Sequence, residues 1–324
     1  MSIFAAIIML IIGLILLTKG ADYFIENSAS LAEERGISPH IVGVTIVAFG
    51  TSLPELLVSI FSSYKGYNDL ALGNIVGSNI SNIGLVLSLS TFIFYYVLKE
   101  NISPDKDANK DSYVMILAVI LLYVFSRDHL ISKNEGLLFF SIYLSYIFWL
   151  FKRADGRSQI IRESEINEQI EAVKRGLADG KTSYTLLVGG LTGLLIGAQL
   201  TVDSAVEIAL TLGLSEIVIG LSVVAIGTSL PELAGTISAA KMGHKEIALG
   251  NIIGSNIANI FLVMGILATI NPVSVEDFVI KTTLPLLILL TIAAFGFIRI
   301  PLTRFSGLIL FAFFVLFVYQ LTLI

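Results

Sequence analysis

Gly50-Thr51-Ser52-Leu53-Pro54-Glu55 interrupts one long apolar stretch of this chain, and Gly227-Thr228-Ser229-Leu230-Pro231-Glu232 interrupts another. Each string sets a carboxylate, two hydroxyls and a helix-breaking proline where a membrane-spanning helix belongs. An ionisable group at that depth is costly and marks function. Two of them, in matched strings, point to one cation site built by both halves of the chain.

Outward from these strings, residue i matches residue i+177 without a gap from Gly20/Gly197 through Val86/Val263. Between 43–88 and 220–265, 25 of 46 positions are identical, far more than shared hydrophobicity gives. An internal repeat of this kind decides the architecture before any single element is assigned. The chain is 55% hydrophobic and 14% charged, with mean hydropathy +0.88. Soluble domains carry about 25% charged residues, so this is an integral membrane protein.

A helix needs about 20 apolar residues to cross the hydrocarbon core. Ten segments qualify: 2–20, 39–64, 69–98, 112–126, 135–151, 183–202, 216–240, 246–270, 279–298 and 302–323. Five of them separate the two copies, and an odd number makes the second copy cross in the opposite sense. The expected fold is an all-α integral membrane protein of ten transmembrane helices, arranged as two inverted five-helix repeats with interrupted core helices. Residues 1–151 form the first repeat, 152–182 a cytoplasmic linker carrying a short helix, and 183–324 the second, inverted repeat. With both termini outside, the outer loops hold only Lys65, Arg127, Lys133 and Lys281 of the 20 basic residues. Cytoplasmic loops are the Lys/Arg-rich ones, which sets that orientation in the plasma membrane. Ser2–Thr18 has no basic leader and no small-residue cleavage motif, so it reads as a first span rather than a signal peptide. Inverted repeats with broken helices are the mark of secondary transporters.

The chemistry follows from residue type. Cysteine is absent, which excludes disulfides and thiolate centres. His40, His129 and His244 lie near segment ends, which argues against a histidine metal centre. No HExxH or GxSxG motif and no nucleophile–histidine set lies in the spans, so an intramembrane hydrolase is disfavoured. Proline removes a backbone donor and clashes with the carbonyl four residues back. Each helix should therefore open between Ala48 and Pro54, and likewise in the second copy, freeing carbonyls such as those of Ala48 and Ala225. Thr51, Ser52, Thr228 and Ser229 add hydroxyls, and Glu55 and Glu232 add charge. All of this is hard oxygen, which suits Na⁺ and Ca²⁺. Two carboxylates roughly neutralise one Ca²⁺ or two Na⁺, which suits an exchanger that moves only when loaded.

A second string follows each first one: Gly73-Asn74-Ile75-Val76-Gly77-Ser78-Asn79-Ile80-Ser81-Asn82, and Gly250-Asn251-Ile252-Ile253-Gly254-Ser255-Asn256-Ile257-Ala258-Asn259. Ser78 and Asn82, like Ser255 and Asn259, share a helix face and are placed to complete the cage. The paired glycines allow close backbone approach and read as packing. Asn74, Asn79, Asn251 and Asn256 read as interhelical hydrogen bonds or caps. Asp22, Glu26, Asp203 and Glu207 read as helix-end residues reaching water, outside the site.

The paired strings resemble the alpha repeats of the sodium/calcium exchangers, within the cation/calcium exchanger superfamily, over nearly the whole chain. The resemblance implies Na⁺/Ca²⁺ exchange by alternating access. It makes Glu55 and Glu232 the central ligands, Thr51 and Thr228 Ca²⁺ ligands, and Ser52, Ser229, Ser78 and Ser255 Na⁺ ligands. Ala48 and Ala225 would contribute carbonyls, Asn82 and Asn259 central polar positions. The first and sixth helices would slide as a gate. Some relatives carry aspartate at the position of Asn259, so the resemblance leans towards a K⁺-independent, minimal prokaryotic form. The rival readings are an H⁺/Ca²⁺ antiporter on the same scaffold, with the glutamates as proton carriers, and a cation channel. Channels build their pores from several subunits, whereas here one chain supplies both halves and a monomer suffices. No cofactor and no nucleic-acid partner is expected; the partners are Ca²⁺, Na⁺ and the lipid bilayer.

Overall fold

The computed structural model describes residues 3–64, 68–99, 101–102, 106–172, 182–211 and 225–321, with backbone alone at 69–70, 155–172, 209–210, 225 and 321. Among these, α1 (Ile3–Arg35), α4 (Ala71–Val97), α5 (Lys106–Phe125), α6 (Lys133–Ala172), α7 (Tyr184–Thr211), α10 (Lys245–Ile270) and α11 (Val279–Phe297) are long and apolar enough to cross a membrane. The bent pair α2 (Pro39–Thr51) and α3 (Leu53–Tyr64) counts as an eighth span. A shorter apolar helix, α12 (Arg304–Leu321), follows. Of the expected span 216–240, α8 (Ala225–Thr228) and α9 (Leu230–Lys241) are described, and the preceding part to residue 224 lies outside the described residues.

Burial sorts these helices. α1 exposes Phe4, Ile11 and Ile15 on one face and buries Gly13, Leu17, Gly20 and Phe24 on the other. In α10 every residue from Ile247 to Met264 is buried, as befits a helix surrounded by protein on all sides. It packs on α2 through its glycines. A Cβ at Gly250 would stand 2.6 Å from the His40 carbonyl, and one at Gly254 2.7 Å from the Ala48 Cβ. That close approach brings the α10 side chains onto the broken helix. The counterparts of these contacts around Gly73 and Gly77, offset by 177, fall on a segment that begins outside the described residues.

α1 and α7 interlock along their length. Gly20 sits against the Leu194 backbone and Gly197 against that of Leu17, so each glycine admits the other helix's main chain. Two small clips tie the loops. Leu130–Ile131 (β1) pairs antiparallel with Val273–Ser274 (β2), and Ile102 bridges Leu302.

Two expectations change. α1 does not end near residue 20 but runs to Arg35, because no proline or glycine interrupts 21–35. Gly36, at φ 60°, and Pro39 terminate it. Asp22 and Glu26 therefore lie inside a helix, as do Asp203 and Glu207 in α7. In the expected linker, α6 continues as one helix to Ala172; residues 173–181 lie outside the described residues.

Candidate cation site

Both helix breaks rest on one serine. Ser52 takes φ −86°, ψ 7° and Ser229 takes φ −89°, ψ 6°, so the two serines share a conformation, although Ser229 N donates to the Ile226 carbonyl at 3.2 Å where Ser52 N donates to that of Ala48. The bend between α2 and α3 is 44°. The expected opening from Ala48 onward is confined to that serine. Pro54 has no N–H to offer the Gly50 carbonyl, but Ser52 N still donates to the Ala48 carbonyl at 3.0 Å. Ala48 O is thus not freed; the Thr51 and Ser255 hydroxyls also lie 3.3 and 3.5 Å from it, each with a nearer acceptor for its single proton. One residue with ψ near zero suffices for the bend, so the turn before it stays helical.

Glu55 and Glu232 follow their breaks by one turn, and both are 0% exposed. They face one another across the repeat interface. Ser52 Oγ donates to Glu232 Oε1 at 2.7 Å, and Ser255 Oγ does so at 3.4 Å. Thr51 donates to Asn251 Oδ1 at 3.0 Å. Glu55 faces Ser78 as well as Glu232. Among the described residues no basic side chain pairs with either carboxylate.

Asparagines fasten each glutamate's helix to the next. Asn74 Nδ2 donates to Glu55 O (3.2 Å) and Ser59 Oγ (3.0 Å). Its repeat partner Asn251 donates to Glu232 O (3.3 Å) and Thr236 Oγ1 (2.9 Å). These two are interhelical, as expected. Asn79 and Asn256 instead donate to the carbonyl one turn back in their own helices, at 2.7 Å each.

Several polar atoms of the paired strings have no partner among the described residues. Both Glu55 oxygens, Glu232 Oε2, Ser78 Oγ, Ser229 Oγ, and both amide atoms of Asn82 and of Asn259 are buried with no hydrogen bond among the described residues. Buried polar atoms are ordinarily paired, and each orphan costs about 1–3 kcal/mol. The orphan oxygens among these, those of the two carboxylates first, are of the hard type that a cation would satisfy. Asn82 and Asn259 lie in wide π-helical turns, Asn82–Leu87 and Ala258–Met264, a local geometry frequent at functional sites. Thr228 is half-buried beside its break, and of Ala225 only the backbone is described.

One buried ionic cluster escaped the sequence. Asp111 on α5 takes Arg153 on α6 through two bonds, 3.1 and 2.8 Å, and His40 Nε2 at 2.8 Å. Arg153 also stacks on Trp149 at 4.5 Å. The expected fourth span began at 112 and the fifth stopped at 151, leaving Asp111 and Arg153 as loop charges. The available signal was Asp107 and Asp111 one helical turn apart, leading directly into an apolar run. His40 opens α2, so this cluster anchors the base of the helix that carries Thr51 and Ser52.

Comparisons with known proteins place the chain in a family. The family model described as sodium/calcium exchanger protein matches residues 5–152 and 182–323. The sodium/calcium exchanger MaX1 of Methanosarcina acetivorans is 34% identical, over 96% of each chain. The putative antiporter CaxA of Alkalimonas amylolytica is 38% identical over 82% of this chain and 81% of its own. The solved structure of the sodium-calcium exchanger NCX_Mj, soaked with zero Na⁺ and Ca²⁺, superposes with a TM-score of 0.80 at 31% identity, covering 99% of this chain and 100% of that one.

Proposed function

The chain belongs to the sodium/calcium exchanger family, and we propose that it exchanges Na⁺ for Ca²⁺ across the plasma membrane by alternating access, without K⁺. The observation that carries this reading is the pair Glu55 and Glu232, fully buried at matched helix breaks and close enough to interact, with three of their four carboxylate oxygens unpartnered among the described residues. Two charges balance one Ca²⁺ or two Na⁺, so the two cations compete for the same oxygens and the carrier turns over only when one or the other is bound.

In this reading Glu55 and Glu232 bind both cations. Thr51 and Thr228 join them for Ca²⁺, and Ser52, Ser229, Ser78 and Ser255 for Na⁺, with the Ala48 and Ala225 carbonyls. Asn82 and Asn259 complete the centre as neutral groups. A third carboxylate there would suit an additional monovalent cation, and its replacement by Asn259 supports K⁺ independence. The ten helices form two inverted five-helix repeats, 1–151 and 183–324, with both termini outside and 152–182 in the cytoplasm. The interlocked pair α1 and α7 serves as the moving gate.

Na⁺ is favoured over H⁺ as the coupling ion by the hydroxyls. Proton exchange needs a carboxylate alone, whereas Ser78 and Ser229 add oxygens that only a second metal cation uses. The test is ⁴⁵Ca²⁺ uptake into proteoliposomes loaded with Na⁺, K⁺ or neither, with and without a pH gradient. Uptake driven by the outward Na⁺ gradient and indifferent to K⁺ is expected. Uptake driven by the pH gradient alone overturns Na⁺ coupling in favour of H⁺/Ca²⁺ antiport.

A further inference from the structure

We propose that Asp203 forms an encounter site for a hydrated cation at the mouth of the path to the transport site, and so sets the cation's apparent affinity on one face of the membrane. This rests on the transport reading above.

A cavity of about 320 Å³ lies between α7 and the two helix breaks. Its floor is made by Pro54, Gly227, Thr228 and Pro231, which are members of the two strings that build the cage. Its wall is apolar except for Gln199 and Asp203, one turn apart on α7. Asp203 is exposed and inside a membrane-spanning helix. A carboxylate turned to lipid costs about 2.5–3.5 kcal/mol at a helix centre and less towards its end. Asp203 stands in the last turns of Tyr184–Ile208, and in the proposed encounter site the cavity it lines is hydrated. Gln199 Nε2 donates to Asp203 Oδ1 at 2.8 Å, which fixes the carboxylate against the wall. The second carboxylate oxygen and the Gln199 carbonyl oxygen then remain as acceptors for a partly hydrated cation.

A smaller cavity, about 200 Å³, sits between α1 and α9 and shows what the first one has. Its carboxylate, Asp22, occupies the position matched to Gln199 by the 177-residue offset. It accepts from Ser238 at 2.8 Å and shares its cavity with Lys241. Of the two strings only the apolar Leu230 lines that cavity and no proposed ligand does, whereas Thr228 lines the first. Of the two, therefore, one carries a negative charge with no described counter-charge and reaches the breaks. The other carries an offset charge and stops short. A cleft with low-dielectric walls and one sign of charge concentrates counter-ions and raises on-rates by about 10–10³.

The experiment measures initial rates of Na⁺-driven ⁴⁵Ca²⁺ uptake in proteoliposomes, with Ca²⁺ applied separately to each face, for wild type, Asp203→Asn and Asp203→Glu. At low ionic strength Asp203→Asn should raise the apparent KM for Ca²⁺ about 3–10-fold on one face only, with the maximal rate kept. In 1 M choline chloride, where the screening length is about 3 Å, the two proteins should converge. Asp203→Glu should behave as wild type. An unchanged KM at low ionic strength overturns the proposal. So does a shift that persists in high salt, appears on both faces, or comes with a fallen maximal rate, since each marks a structural role. Wild-type protein that takes up no Ca²⁺ would instead sink the transport reading.

Discussion

Glu55→Gln and Glu232→Gln occupy equivalent positions in the repeat, yet the structure predicts that they differ in stability while sharing the loss of Ca²⁺ binding. Both substitutions are nearly isosteric, and both relieve the same repulsion between two buried carboxylates, so that contribution cancels when the variants are compared. Glu232 accepts a 2.7 Å hydrogen bond from Ser52 and a longer one from Ser255, whereas neither Glu55 oxygen has a donor among the described residues. A hydrogen bond to a charged group contributes about 1.5–3 kcal/mol and one between neutral groups about 0.5–1.5. Glu232→Gln should therefore be less stable than Glu55→Gln by about 1 kcal/mol in chelator. For a chain of this length that is roughly 2 °C in Tm. Ca²⁺ at about 100 times its Kd should stabilise the wild type by about 2.7 kcal/mol, roughly 5 °C, and should shift neither variant. The assay is thermal unfolding of detergent-solubilised protein, followed by size-exclusion, with chelator or with Ca²⁺. A wild-type Ca²⁺ shift in Glu55→Gln would refute its role as a ligand. Equal melting of the two variants in chelator would refute the asymmetry of the two half-sites.

Two further outcomes are expected. Asp111→Asn strips the counter-charge from Arg153 and a bond from His40, at sites where Asp111 is 0% exposed; removing one partner of a buried pair costs about 3–5 kcal/mol. Adding Arg153→Met should return part of that loss in a thermal-unfolding measurement, and a double variant no more stable than Asp111→Asn alone would show that the pair is not the cause. Asn259→Asp adds a third buried carboxylate at a position the proposed site includes, and should alter the Na⁺ and K⁺ dependence of ⁴⁵Ca²⁺ flux with little change in Tm; unchanged ion dependence would remove Asn259 from the centre.

The helix breaks were legible because proline and glycine act locally. Pro54 lacks its N–H in any environment, and the bend falls within two residues of it. The buried pair Glu55 and Glu232 was legible because a carboxylate within a span needs a reason and the repeat supplied two. Three things were not legible. Where α1 ends depends on an absence of breakers through residue 35, and the polar side chains at 22 and 26 look like a helix end when hydropathy alone is read. The His40–Asp111–Arg153 cluster joins three segments, and each of its members sits at the edge of an apolar run, where a charge is ordinarily solvated. The Ala48 carbonyl keeps its backbone donor, because a single residue with ψ near zero absorbs the bend that proline imposes.

The repeat also conceals an inequality that only coordinates reveal. An exact pseudo-twofold would match the Ser52 bond to Glu232 with a bond from Ser229 to Glu55. Instead Ser229 Oγ and both Glu55 oxygens have no hydrogen bond. The dihedral angles of the two serines do not account for this, since they agree within a few degrees. The difference lies in how the halves meet: α10 closes on α2 through Gly250 and Gly254 and carries Ser255 onto the Ala48 carbonyl and Glu232, drawing one carboxylate into a hydrogen-bonded nest. Alternating access in inverted-repeat carriers moves one repeat against the other around a fixed site; under the proposed transport reading, this asymmetric pairing would belong to one of the two end states.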